Sequence, residues 1–477
     1  MKAPFSPYLK GITERMRRLV AELSESYEYV SLHSADSVGF RVTISQRARK
    51  VSNTNMTTER GNVVRVCRKG QYSEYAFNEL PEEMEGFANT IRRELDRQLD
   101  LLARTGTEPY PTPVLPDEPL TLFVEKETGR LPETENMEVL VEKMSALSDR
   151  GKATVEGALD CTVSASSTHI SKMFITPNRF LRQSYVYTEG SCSAYAPNAE
   201  GEIKFAYDGV SGCGGPEILD GLEQVMDGMP RMMADLLGAE KVVPGEYEII
   251  TDPGISGLIA HEAFGHGVEM DMFVKNRALG AHYIGKRVGS EKCTMHEGAL
   301  CAESVTAYAF DDEGTLAGDV IEIDRGILKT GICDALSAYR LGTVPTGNGK
   351  RENFAHKVYT RMTNTIFDSG EDTLEEMIAS VSHGYLLRGT ESGMEDPKHW
   401  GIQCIISRGY EIRDGRLTGR VVAPVIMTGY VPDLLGGITM ASADRRVDGN
   451  GGCGKGYKEW VKVADGGPYL KTKARLG

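Results

Sequence analysis

Residues 242–267 have the sequence VVPGEYEIITDPGISGLIAHEAFGHG, in which a short extended segment is followed directly by a helix. Residues 242–250 are typical of a strand that ends at a turn. Asp252 can cap a helix with its side-chain oxygen, and Pro253 suits the first helical turn because its missing N–H is not needed there. We therefore predict a strand that leads straight into a helix over residues 255–266.

This helix carries two histidines and a glutamate that are candidate metal-site residues, His261, His266 and Glu262. Neutral imidazoles are good zinc ligands, and an adjacent carboxylate can take a proton from water at the metal. Five residues span about 500° at ~3.6 residues per turn, so a regular α-helix would aim the two histidines ~140° apart. We therefore expect a π-bulge or a helix end between them, which Gly265 and Gly267 would permit.

The late segment DGNGGCGKG, residues 448–456, offers a third ligand in Cys453. Its glycines indicate a backbone that must approach another group closely, and a thiolate is a good zinc ligand. Glu269 and Asp271 follow the histidines and add carboxylates that could bind the metal or orient its ligands. From the residues alone, the histidines could also be ordinary side chains of a helix.

The same late segment matches the spacing of a phosphate-binding loop without its chemistry. Gly449, Gly454 and Lys455 fit G-x-x-x-x-G-K, but Gly456 stands where a Ser or Thr would hold magnesium. No hydrophobic strand precedes the segment and no long helix signal follows it. The pattern therefore favours a metal site over a nucleotide site.

Length, charge and cysteine content narrow the class of protein. The 477 residues suggest two or three domains, and a net charge of −14 without a dense basic cluster disfavours nucleic-acid binding. No uncharged apolar stretch approaches the ~18 residues that span a bilayer, so no membrane association is expected. Nine scattered cysteines do not suggest a disulfide framework, which predicts a reducing, cytoplasmic location.

The elements predict an α+β protein in two parts: an N-terminal α/β domain of helices and antiparallel strands, residues 1–240, and a β-rich, barrel-like or sandwich-like C-terminal domain, residues 241–477. The helices are expected over residues 8–24, 81–103, 131–150 and 216–237, with 372–380 as the one obvious helix after the motif helix. Strands are expected within residues 27–77 and 154–207 and over 320–323, 402–406 and 420–427, and a loop over 105–119.

Two motifs resemble the TldD family of the TldD/PmbA (TldE) metallopeptidases. The first is His-Glu-Ala-x-Gly-His followed by Glu and Asp, from His261 to Asp271. The second is Asp-Gly-x-Gly-x-Cys-Gly-Lys, from Asp448 to Lys455. Two motifs in the right order and nearly 190 residues apart are far more specific than either alone, and the resemblance extends over nearly the whole chain.

The resemblance implies a zinc ion bound by His261, His266 and Cys453, with Glu262 as general base, in a C-terminal β-barrel-like domain. It implies a peptidase that acts on unfolded peptides or small proteins. Its partner would be a second copy or a PmbA/TldE-type paralogue. Because PmbA-type partners lack the metal motif, the intact motif implies the catalytic type.

Three alternatives remain open at the level of sequence: a non-catalytic regulatory or partner subunit, a regulator of nucleic-acid enzymes, and a structural zinc site with Glu269 as fourth ligand. The oxyanion-stabilising group is also open. Candidates in the C-terminal half are His383, His399, Tyr430 and Tyr457. A strand beside the site could bind an extended peptide through backbone hydrogen bonds.

Overall fold

A computed structural model describes residues 1–54, 59–105, 112–455 and 458–477. Its helices and strands alternate as the sequence patterns indicate. The α-helices in these ranges are α1 Pro7–Ser24, α2 Met84–Arg104, α3 Met137–Thr154, α4 Leu222–Leu237, α5 Pro253–Ala260, α6 Asp271–Val274, α7 Ala335–Leu341, α8 Leu374–Ala379 and α9 Val431–Gly436.

The strands fall into an N-terminal and a C-terminal group. The first group is β1 Tyr29–Ile44, β2 Arg49–Ser52, β3 Arg60–Arg68, β4 Gln71–Phe77, β5 Leu120–Glu125, β6 Asp160–Ile175, β7 Arg179–Pro197 and β8 Ile203–Cys213. The second is β9 Gly245–Thr251, β10 Met295–Glu297, β11 Val320–Asp324, β12 Ile327–Leu328, β13 Gly349–Lys350, β14 Tyr359–Thr360, β15 Asn364–Phe367, β16 His383–Asp396, β17 Gly401–Arg413, β18 Arg416–Val422, β19 Val425–Tyr430, β20 Met440–Asp448, β21 Gly452–Lys455, β22 Lys458–Lys462 and β23 Ala464–Leu476.

The N-terminal group forms one sheet in the order β4-β3-β1-β6-β7-β5, with β2 on β1 and β8 on β7. All its pairs are antiparallel except β5 with β7. Helices α1 and α2 share one hydrophobic cluster with strands of this sheet, and α3 and α4 share a second. The expected mixture of helices and antiparallel strands is therefore confirmed.

The C-terminal group contains a closed barrel of five strands, β9-β16-β17-β19-β23, which closes where β23 pairs with β9. Helix α5 shares one hydrophobic cluster with all five strands, through Ile255 and Ile259. Gly257 lets the helix approach β23, because a Cβ there would lie 2.5 Å from the backbone nitrogen of Gly466. The barrel thus fixes the helix that leads to the candidate metal ligands.

The strand-to-helix transition follows the sequence prediction. Strand β9 ends at Thr251, and the Asp252 side chain accepts a hydrogen bond of 2.9 Å from the backbone N–H of Ile255. Pro253 occupies the first turn of α5. The polar cap and the proline therefore determine where the helix begins.

Some element boundaries were predicted wrongly. Helix α3 begins at Met137 rather than residue 131, because Asn136 caps it and Pro132–Thr134 forms a separate 3₁₀ turn. The stretch 420–427 belongs to two strands, β18 and β19, with Pro424 between them. Besides α8, the C-terminal half holds the short helices α6, α7 and α9, whose four to seven residues are too few to show a helical period.

Buried ion pairs connect the two groups of strands. Lys172 on β6 donates a 2.5 Å hydrogen bond to Asp312, and Arg65 on β3 bonds Glu313. The division we propose near residue 240 falls between α4 and β9. No helix in the described ranges combines the length and apolar character needed to cross a bilayer.

Replacing Asp312 with Asn should destabilise the fold, because it leaves the Lys172 ammonium without its carboxylate in a site where Asp312 is only 4% exposed. Removing one partner of a buried pair costs about 3 kcal/mol, which urea unfolding followed by circular dichroism would measure. The matched control is Glu303→Gln, since Glu303 pairs with Lys126 but is 74% exposed. A control effect as large as that of Asp312→Asn would contradict the argument.

Candidate metal centre

A π-helical turn brings the two histidines together. Helix α5 ends at Ala260, His261–Gly265 forms one π-turn, and a 3₁₀ turn follows over His266–Val268. The backbone N–H of His266 donates to the carbonyl of His261, the i→i+5 bond of a π-turn. The extra residue places side chains five positions apart on one face, and the imidazole centroids lie 5.1 Å apart. The predicted distortion is confirmed.

Gly265 is the point at which the π-turn packs most closely against another part of the chain. A Cβ on Gly265 would lie 2.1 Å from the sulfur of Met362, which comes from the segment just before β15. The π-turn therefore packs directly against a distant part of the chain.

Cys453 reaches the histidines from a separate hairpin. It lies on β21, which pairs with β22, and its Sγ is 3.2 Å from Nε2 of His266. One ligand atom each of His261, His266 and Cys453 lies within 4.8 Å of the others. Side chains nearly two hundred residues apart thus converge as the sequence predicted.

The charge state of the thiol suits metal binding. Burial acts to raise the pKa of Cys453, but the imidazoles of His266 and His261 outweigh it and lower the pKa to about 4. His261 is 6% exposed, and its Nδ1 is buried without a hydrogen-bond partner in the described part of the chain. Two imidazoles and a thiolate are the donors that zinc prefers, so the residues present fit this ion.

A buried carboxylate orients His266. Oε2 of Glu269 lies 3.1 Å from Nδ1 of His266, the ring nitrogen away from Cys453, and Glu269 is 1% exposed. Burial acts to raise the pKa of Glu269, but Lys455 and His266 lower it below its usual range. Lys455 Nζ lies 3.2 Å from Glu269 and 2.6 Å from Asp271. Glu269 therefore holds the ring of the candidate ligand His266, and Lys455 joins Glu269 and Asp271 to the strand that carries Cys453.

Arg361 joins the helix side of the site to the hairpin. Its guanidinium is fully buried, and Nε lies 3.4 Å from Oε1 of Glu269. The same group donates to the backbone carbonyls of Cys453, at 2.9 Å, and of Glu459. Nothing in the local sequence around Arg361 signals this role, because its partners lie about 90 residues away on either side.

Glu262 lies against strand β16. It is 8% exposed, and a Cβ on Gly393 would be 2.7 Å from its Cγ and 2.9 Å from its Oε1. Burial raises the pKa of Glu262, with a smaller opposing effect of His261. Gly393 is thus a residue that sequence reasoning missed and that determines where Glu262 sits.

The candidate ligands and Glu262 line a cavity of about 1040 Å³. Its walls come from the motif helix, from β16, from the hairpin that carries Cys453 and from Phe205 and Tyr207 on β8. A cavity of this size beside three ligands leaves room for a substrate.

Among the described residues, three of the four candidate oxyanion donors do not line this cavity. His383, His399 and Tyr430 do not line it, and His399 is 79% exposed and bonded to Asp396. Tyr457 lies outside the described residues. Gly452, Gly454 and Lys455 belong to strand β21 rather than to a loop leading into a helix, which is unlike a phosphate-binding loop.

Relatives of this chain have names that agree with the site. Residues 244–473 match the model of the PmbA/TldA metallopeptidase C-terminal domain. A metalloprotease of Methanothermobacter thermautotrophicus is 25% identical over 465 residues, which make up 97% of this chain and 98% of that protein. A metalloprotease TldD homolog of Buchnera aphidicola is 32% identical over 241 residues, 50% of this chain and 49% of the relative.

The fold agrees as well. The crystal structure of TldE from Thermococcus kodakarensis matches with a TM-score of 0.74 at 17% identity, covering 97% of this chain and 99% of that one. At this identity the match shows a shared fold and no more. The domain model over residues 244–473 and the metalloprotease relatives together support membership of the TldD/PmbA family.

Proposed function

We propose that this chain is a zinc-dependent peptidase that hydrolyses peptide bonds of unfolded peptides or small proteins. The observation that carries the proposal is the convergence of His261, His266 and Cys453 next to Glu262 at the wall of a large cavity. The names of the metalloprotease relatives support it.

His261, His266 and Cys453 would hold the zinc ion. When bound with an open position, zinc acts as a Lewis acid and lowers the pKa of water from ~15.7 toward neutrality. Three donors and a cavity favour an open site over a closed structural one. A structural site would need Glu269 as its fourth ligand, but the carboxylate of Glu269 already contacts His266, Lys455 and Arg361.

Glu262 would act as the general base. Its carboxylate lies in the cavity wall beside both histidines, and burial raises its pKa above that of an ordinary glutamate. A base whose pKa is closer to neutrality both accepts a proton and returns it readily. Glu262 would take a proton from the attacking water and deliver it to the leaving amine.

Strand β16 would bind the substrate backbone. Within the described residues β16 pairs along its whole length with β17, but with β9 only over Gly384–Leu387. Residues 389–395 line the cavity, and one edge of this stretch pairs with no other strand in the described part of the chain. An extended peptide can pair with such an edge through main-chain hydrogen bonds, which gives low sequence selectivity.

A non-catalytic partner subunit is the second candidate function, and the fold shared with TldE is compatible with it. The converging metal donors favour the catalytic type. We infer pairing with a second copy or with a TldE-type paralogue. All nine cysteines are unpaired, which supports the proposed reducing, cytoplasmic location.

Replacing Glu262 with Gln should remove hydrolysis but not the metal. General-base catalysis contributes about 10²–10⁴-fold, so the rate constant for cleavage of an unfolded, fluorescence-quenched peptide should fall by at least 10²-fold. Elemental analysis should still find one zinc per chain. Glu375→Gln, an exposed change on α8, is the control, and full activity of the Glu262 variant would refute the proposed base.

Gly393→Ala should lower activity by moving Glu262, because the added Cβ overlaps its side chain. Misplacing a catalytic group by an ångström can cost about 10²-fold, so we expect a loss of about tenfold or more in kcat with zinc content unchanged. Gly401→Ala is the matched control, since a Cβ there meets nothing within 4 Å. Equal activities of the two variants would show that Gly393 does not position the base.

Replacing Arg361 with Met should weaken metal binding, because Glu269 and the Cys453 carbonyl both lose a partner. Outer partners of metal ligands affect affinity by about 10–100-fold, which competition with a chromogenic chelator would measure. In the cobalt-substituted protein the thiolate-to-metal absorption should weaken as well. Arg361→Lys should restore part of both signals, and Arg93→Met, an exposed change, should alter neither; unchanged affinity in Arg361→Met would exclude the positioning role.

A further inference from the structure

The cavity has a charge pattern that general peptide hydrolysis does not require. Its lining includes the carboxylates of Glu262, Glu269, Glu391, Glu395, Asp448 and Asp465. Among the described residues that line the cavity, Lys455 is the only lysine or arginine. Its ammonium group is already bonded to Asp271 and lies close to Glu269. This lysine is therefore occupied at the Glu269 side of the cavity, and among the described residues no lysine or arginine forms an ion pair with Glu391 or Glu395.

We propose that the cavity selects peptides that carry a lysine or arginine side chain at the strand position beside Glu395, with Glu391 contributing from the exposed side. This preference rests on the proposed peptidase function, since it assumes that an extended peptide lies along β16.

Strand geometry places Glu395 next to the substrate. Gly393 pairs with Cys404 and Glu395 with Ile402 on β17, in regular register, so these two residues of β16 face the same side. That side is the side of Glu262, whose Cγ lies against Gly393. Directly opposed residues of neighbouring strands have Cβ atoms ~4.5–5.5 Å apart. A peptide added to the edge of β16 would therefore place one side chain beside Glu395. This position is two residues along the strand from Gly393, which contacts the proposed base Glu262.

The carboxylate of Glu395 lacks a partner. Both of its oxygens are screened from solvent, and neither has a hydrogen-bond partner among the described residues. Its Oε1 lies 3.6 Å from where a Cβ of Gly267 would be, which places it beside the turn that carries His266. Burial raises the pKa of Glu395 to about 9, because a carboxylate without donors or a counter-ion is costly to charge. A lysine or arginine of the substrate would supply both the opposite charge and the missing donors.

Aromatic side chains in the cavity lining can contact the methylene stem of a basic side chain. Phe205 and Tyr207 on β8 and Trp460 on β22 line the same cavity, and they remain 37%, 42% and 51% exposed. Aromatic faces attract ammonium and guanidinium groups, and their apolar surface accommodates the methylene stems of lysine and arginine. A carboxylate at the same place would meet the negative charge of the exposed Glu391 and would supply no cation to Glu395.

Peptide binding to the zinc-loaded Glu262→Gln variant tests the proposal without hydrolysis. Three fluorescein-labelled unfolded peptides would differ at one central residue, which is Lys, Ala or Glu, and anisotropy would give each Kd at two salt concentrations. We expect the Lys peptide to bind roughly tenfold more tightly than the Ala peptide, as for a charge-assisted contact. The Glu peptide should bind most weakly, and salt should reduce the differences.

Further substitutions in the Glu262→Gln variant test which carboxylate recognises the lysine of the peptide. Adding Glu395→Gln should bring the Kd of the Lys peptide close to that of the Ala peptide, and adding the exposed Glu391→Gln should reduce the difference in part. Adding Glu371→Gln, an exposed change outside the cavity, removes the same charge and should leave the preference intact. Equal affinities of the three peptides, or equal losses in all three variants, would overturn the proposal.

Cleavage of the same peptides by the wild-type protein separates the two ideas. If no peptide is cut but the Lys preference in binding persists, the proposed peptidase function fails and the charge recognition stands. If all three are cut with equal kcat/KM and bind equally, the function stands and the selectivity is wrong.

Discussion

The single π-turn at His261–Gly265 is the constraint on which the candidate site depends. In a regular helix, side chains five positions apart point in different directions, and one additional residue in the turn aligns them. The turn packs against the Met362 side chain at Gly265, so a side chain at that position would require Met362 to move. The positions of the candidate metal ligands thus depend on packing as much as on their own chemistry.

Buried charges hold the remaining parts of the site in place. The carboxylate of Glu269 contacts His266, Lys455 and Arg361. Arg361 also donates a hydrogen bond to the backbone carbonyl of Cys453. Taking such charges out of water is expensive, and only a network with several good contacts offsets that cost. One consequence is that the helix and the hairpin cannot move independently without breaking a buried ion pair.

The fold does not by itself decide the chemistry. The TldE structure shares the architecture at 17% identity, so the five-stranded barrel and the N-terminal sheet are a common framework. In the proposed function, the chemistry comes from the side chains on that framework, which are two imidazoles, a thiolate, and a carboxylate that lies against Gly393. The unpaired edge of β16 and the acidic lining then bear on what can enter the cavity.

The sequence by itself determined the α+β composition, the capped start of α5, the three candidate ligands and the distortion between the histidines, because all of these follow from local patterns or from two well-defined motifs. It missed the short helices α6, α7 and α9, although the capping residues Asp334 and Gly342 around α7 were readable signals. Only the tertiary structure identified Arg361, Gly393 and Glu395. It also showed that His383, His399 and Tyr430 do not line the cavity. Those roles depend on contacts between residues about 90 or more positions apart, which no local periodicity encodes and which arise only when the barrel closes around the motif helix.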